Sequence, residues 1–138
     1  MYAPARKPGN IGQQYRNIDL TSKIEGASPH RLISLLYEEL ILSMASMKAA
    51  LRRTDLLRVN ESSARAQSIV QALEVSLDFK VGGEIAQSLA LIYREADRLI
   101  AESCRTKAMP PLESAIAMIA EIAEAWNQIG NPQAQQAA

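Results

Sequence analysis

Four stretches of the chain repeat apolar residues at three- and four-residue steps, the period of one helix face, and none alternates in the way of a half-buried strand. The first begins where Ser28 can accept from free backbone N–H groups and Pro29 takes the first helical position, and it runs to about Arg53. Leu32, Ile33, Leu36, Leu40, Met44, Met47 and Leu51 form its core-facing band. The second follows a polar turn with Asp55 and Asn60 and aligns Ala66, Ile69, Val70, Leu73 and Leu77. Gly82 and Gly83 are expected to end the connection after it, because paired glycines break a helix at little cost. A third helix is expected over 84–103, with Ile85, Leu89, Ile92, Ala96 and Leu99 as its stripe and Tyr93 and Ile100 at the shoulder. Pro110 and Pro111 separate it from a fourth, which carries Leu112, Ala115, Ile116, Ile119, Ile122, Ala123, Trp126 and Ile129 on one side and stops at Gly130-Asn131-Pro132. The pattern predicts an all-α fold, an antiparallel up-down-up-down four-helix bundle over residues 28–130.

Residues 1–27, with Pro4, Pro8, Gly9, Gly12 and Gly26, read as a partly flexible N-terminal arm. Ile11, Tyr15 and Ile18 fall at helical spacing within it, so the arm has room for a short extra helix that docks. The Gln- and Ala-rich segment 131–138 reads as a disordered tail.

One core-facing stripe does not need all the apolar residues of the first helix: from Leu32 to Leu51, 14 of 20 are apolar. Leu35, Leu42 and Ala49, at steps of seven, project nearly opposite the core band. Hiding each leucine from water is worth about 1.5–3 kcal/mol, so a line through Leu35 and Leu42 is expected to be covered by something. The arm, a second copy of the chain and a foreign helix all remain open at this point.

Composition narrows the function. At 138 residues the chain is long enough for one core, and 15 Lys and Arg balance 15 Asp and Glu, which argues against a broad basic face for nucleic acid. The single cysteine, Cys104, cannot form an intramolecular disulfide and reads as a small buried or half-buried side chain in a reduced cytosol. With no signal-peptide pattern and no apolar run of membrane-spanning length, neither general secretion nor membrane insertion is expected.

Catalytic constellations are thin. His30 is the sole histidine, which leaves metal sites of the Glu-x-x-His kind unassembled, and it reads as a partly exposed first-turn residue. Glu38 and Glu39 are adjacent and therefore point about 100° apart on a helix, so they read as a solvated face rather than an acid/base pair. No glycine-rich phosphate loop follows a strand. No enzyme activity, cofactor or metal is expected.

Several short segments, in order and spacing, resemble the flagellar secretion chaperones of the FliS family: the arm tyrosine Tyr15; Ala27-Ser28-Pro29-His30-Arg31-Leu32-Ile33 leading to Leu36-Tyr37; Leu77-Asp78 with Gly82-Gly83-Glu84-Ile85-Ala86; Leu89 to Tyr93; and Glu121 to Trp126. The resemblance covers nearly everything from Tyr15 to Ile129. It implies an antiparallel four-helix bundle in the cytosol that binds the C-terminal segment of flagellin, prevents premature polymerisation and keeps the client export-competent. It also brings the flagellar export apparatus into view as a contact. By position it points to Tyr15, Ile18, Leu32, Ile33, Leu36 and Tyr37 as partner-binding, and the helical projection adds Leu35 and Leu42. Two departures stand out: Glu39 occupies a position where family members often have glycine, and the stretch from Tyr15 to Ser28 is longer than in many members. The alternative from a different class is a structural or regulatory bundle that self-associates, as a homodimer, with no flagellin client.

Overall fold

The computed structural model describes residues 26–130, and the structural statements below concern those residues. The expected extra helix of the arm, Tyr15, Ile18 and the tail 131–138 lie outside them. The chain divides between Leu32 and Ile33 into two units; the described part of the first is the start of one helix, and the second carries the rest of the bundle.

Four helices and no strand make up the described residues: α1 (Pro29–Arg53), α2 (Leu56–Val75), α3 (Phe79–Thr106) and α4 (Met109–Ile129). At the start of α1, Ser28 Oγ accepts from the Arg31 N–H at 3.2 Å, and the Ser28 carbonyl takes the Leu32 N–H at 2.9 Å, so the expected cap forms. Asp55 caps α2 through the Arg58 N–H, after a turn in which Thr54 adopts a φ of 54°. Side-chain pairs fix the helix directions. Glu39 meets Arg65, while Ser46, further along α1, meets Ser62, which comes earlier in α2; Glu74 meets Arg94, while Asn60 meets Cys104. Each of these neighbouring pairs therefore runs antiparallel, and consecutive helices pack against one another as a four-helix bundle.

The turn between α3 and α4 is tied by Ser103. Its hydroxyl is fully buried, donates to the Ala108 carbonyl at 2.7 Å and accepts from the Leu112 N–H at 2.8 Å. Pro110 and Pro111, which have no N–H, leave fewer donors to satisfy at the start of α4, and Ser103 supplies one from the preceding helix.

Burial agrees with the expected α2 stripe, where Ala66, Ile69, Val70 and Leu73 are buried and Leu77, past the helix end, is partly buried. In α3 and α1 the centre of the stripe lies elsewhere. Ala86, Ala90, Tyr93, Ala96, Ile100 and Ser103 are the buried residues of α3, and Ile85, expected at the core, is 73% exposed. Small residues at 86, 90 and 96 sit at the inner line, which places Tyr93 and Ile100 in the core and moves Leu89 and Leu99 to its flanks. In α1 the fully buried line runs through Leu40, Met44, Met47 and Ala50, while Ile33, Leu36 and Leu51 pack from its edge.

A second correction concerns the start of α3. Instead of beginning at residue 84, it begins at Phe79, where Asp78 Oδ1 accepts from the Lys80 and Val81 N–H groups at 3.0 and 3.1 Å. The glycine pair is a break inside the helix rather than the end of a loop: Gly83 has φ 49° and ψ −123°, a conformation open to glycine and costly for any residue with a Cβ.

Candidate functional site

Helices α1, α3 and α4 and the α2–α3 connection enclose an apolar cleft of about 320 Å³. Ile33 and Tyr37, one turn apart, come from α1; Leu77 and Asp78 from the α2–α3 connection; Val81, Ile85, Leu89 and Tyr93 from α3; and Trp126 from α4. The segments that carry the sequence resemblance are far apart along the chain, and the structure brings most of them to this one place.

The floor of the cleft is a tyrosine pair. The Tyr37 and Tyr93 hydroxyls lie 2.5 Å apart across the α1–α3 contact, on side chains that are 3% and 2% exposed. Burial, as the largest influence, pushes both hydroxyls above their ordinary titration range; their mutual hydrogen bond adds to the rise at Tyr37 and opposes it at Tyr93. Both therefore stay protonated in neutral solution. The rim is apolar and open, with Val81 86% and Ile85 73% exposed. Val81 lies before the break at Gly83, and Ile85 sits beside the inner line through Ala86, Ala90 and Tyr93 rather than on it.

The residues singled out from sequence divide into groups. Ile33 and Tyr37 line the cleft; Leu36 is partly buried against the core; Leu32 is partly buried in the first turns of α1. Leu42 is 51% exposed, as the helical projection expects. Leu35 is not: it is 2% exposed, and Ser34 beside it is also buried. A projection of one helix orders residues around its own axis and carries no information on what else packs there, so it does not register the burial of Leu35. The expected exposed line is thus reduced to its Leu42 end.

Leu77, Val81, Ile85, Leu89, Tyr93 and Trp126 were not among the residues singled out as a site. The i, i+4, i+8 spacing of Ile85, Leu89 and Tyr93 was visible but reads equally as core. Glu39 is half-buried and pairs with Arg65 of α2 at 2.8 Å, so its carboxylate joins two helices rather than standing in solvent.

Among the described residues, no three His, Cys, Asp or Glu side chains are placed to hold a metal ion. His30 is half-buried in the first turn of α1, and Cys104 is half-buried with its thiol 3.4 Å from Asn60 Oδ1. No described helix is long and apolar enough to cross a membrane.

Fold and cleft together define a small all-α bundle whose concave surface is apolar. The sequence model of the flagellar protein FliS family matches residues 11–133, and the chain belongs to that family. It is similar to the flagellar secretion chaperone FliS of Salmonella typhimurium, 29% identical over 116 residues that cover 83% of this chain and 86% of that one. The flagellar secretion chaperone FliS of Vibrio cholerae is 28% identical over 117 residues, covering 85% of this chain and 86% of the other. The flagellar secretion chaperone FliSB of Pseudomonas aeruginosa is 25% identical over 119 residues, covering 86% and 94%. Membership supports a role as a flagellar export chaperone with a client protein, and the relatives carry the name of chaperones, a non-enzymatic role.

Proposed function

We propose that this protein binds the C-terminal segment of flagellin in the cytosol, holds it out of premature polymerisation and delivers it to the flagellar export apparatus. The observation that carries the proposal is the coincidence of family membership with an apolar cleft built from the segments that mark the family. Covering a large apolar side chain contributes about 1.5–3 kcal/mol, and Val81 and Ile85 present two such side chains at the rim. A flexible client segment loses conformational entropy when it orders, and an apolar contact that continues past the cleft offsets that loss. In this reading Ile33 and Tyr37 line the seat of a client helix, with Leu32 and Leu36 supporting them, while Leu42 contributes outside the cleft; Tyr15 and Ile18, outside the described residues, are assigned as partner contacts on the sequence resemblance alone.

The test is to titrate the full chain with the C-terminal segment of flagellin from the same organism. A one-to-one complex with increased helicity is the expected result, and Val81→Asp with Ile85→Asp weakens it while leaving the thermal midpoint nearly unchanged. Absence of binding at micromolar concentration, or binding untouched by those two substitutions, defeats the proposal.

A further inference from the structure

The cleft floor carries one unspent hydrogen-bond donor. A tyrosine hydroxyl brings a single proton and can accept as well as donate. Two hydroxyls bonded to each other use one of their two protons, and neither Tyr37 nor Tyr93 makes a second hydrogen bond among the described residues. Because burial keeps both groups protonated, the second proton is a standing donor at the base of an apolar cleft. A buried donor without an acceptor costs about 1–3 kcal/mol, and buried polar groups of native proteins are nearly always paired.

Ser76 and Asp78, which also line the cleft, are engaged with the backbone. Ser76 Oγ donates to the Leu73 carbonyl at 2.7 Å, and Asp78 Oδ1 caps α3. Water enters the open cleft while it is empty, and a client that displaces this water has to replace the hydrogen bond it made to the pair. An anionic acceptor is disfavoured: no cationic side chain lines the cleft, and Asp78 brings a like charge to it. What fits is an apolar chain with a single neutral oxygen.

We infer that the Tyr37–Tyr93 pair donates one hydrogen bond to a neutral acceptor, a carbonyl or hydroxyl oxygen, on an otherwise apolar client helix seated in the cleft. The inference rests on the client-binding reading above and adds to it a chemical selection: a segment with a purely apolar residue at that point leaves the donor unpaired, and one with a carboxylate there is repelled.

Two probes separate this from the reading on which it rests. Calorimetry measures the flagellin C-terminal segment against wild type, Tyr37→Phe, Tyr93→Phe and the double variant; NMR titration of the same full-length proteins compares 1-indanone with indane, an isostere without the carbonyl. Either single variant keeps one hydroxyl whose proton is free to donate, so each loses less than about threefold in client affinity; the double variant loses about three- to tenfold. Wild type prefers 1-indanone to indane by a similar factor, and the double variant loses the preference. Equal client affinity in wild type and double variant overturns the inference, as does a wild type with no preference for the ketone. If the double substitution lowers the thermal midpoint or dissociates a dimer while client affinity stays unchanged, the acceptor belongs to the chain itself or a second copy, and the assignment to a client is overturned. Should wild type prefer the ketone but bind no flagellin segment, the donor stands and the flagellin reading falls. If the double variant does not fold, the ketone preference of wild type decides.

Discussion

Leu35 and Leu42 stand seven positions apart on α1, and their fates differ: 2% of the first and 51% of the second is exposed. Leu35→Glu places a carboxylate where water does not reach and is expected to destabilise the fold by about 3 kcal/mol or more, whereas Leu42→Glu stays within about 0.5 kcal/mol, as read from urea unfolding midpoints. The tyrosine pair supplies a pH signature with a definite sign. Both folded-state hydroxyls titrate above the ordinary value of 10.0, so beyond that pH the unfolded chain gives up protons that the folded protein keeps. Stability is therefore unaffected by these groups below about pH 10 and falls above it, by up to about 1.4 kcal/mol per pH unit for each tyrosine. Urea midpoints measured from pH 9 to pH 12 are expected to show that fall in wild type and a much smaller one in the variant with both tyrosines replaced by phenylalanine.

α3 owes its start to Asp78 and its bend to Gly83. Asp78→Ala removes an acceptor shared by two N–H groups and is expected to cost about 1 kcal/mol. Gly83→Ala meets no neighbour within 4 Å but forces a Cβ into a φ of 49° with ψ −123°, for about 1–3 kcal/mol; Gly82→Ala instead brings its Cβ to 3.0 Å from Ala86 Cβ. Denaturant unfolding of the three variants checks both the order and the size. The helices themselves were plain in the sequence, because Ser28-Pro29, the α2 stripe, Pro110-Pro111 and Gly130 are local signals, each decided within a few residues. The start of α3 was not plain, since two glycines signal a break without saying whether a capped turn precedes it. The cleft was less plain still. Its walls come from three helices and the α2–α3 connection, and nothing in the local period of Ile85 separates a rim residue from a core residue.

For the whole protein, a bound client is expected to stabilise the fold by an amount that grows with the logarithm of its free concentration over Kd: at about a hundredfold above Kd the gain is about 2.7 kcal/mol, visible as a rise of several degrees in thermal midpoint. The same titration with the flagellin segment distinguishes specific binding from loose adhesion, which leaves the midpoint unmoved. One consequence concerns timing. Local opening is easiest where few hydrogen bonds hold a segment, and the helical ladder over 79–86 is interrupted at Gly83, whereas Met44 and Met47 lie fully buried in the middle of α1. Amide exchange should be faster over 79–86 than over 44–47. On the proposed function, a client held by the faster segment is expected to leave when one helix end frays, without waiting for the bundle to unfold. Asp78→Ala then shortens the residence time of the complex, while Ser103→Ala, which weakens the distant α3–α4 turn, lowers stability and leaves the dissociation rate as it was. In the proposed role, release of the client is thereby expected without the bundle coming apart.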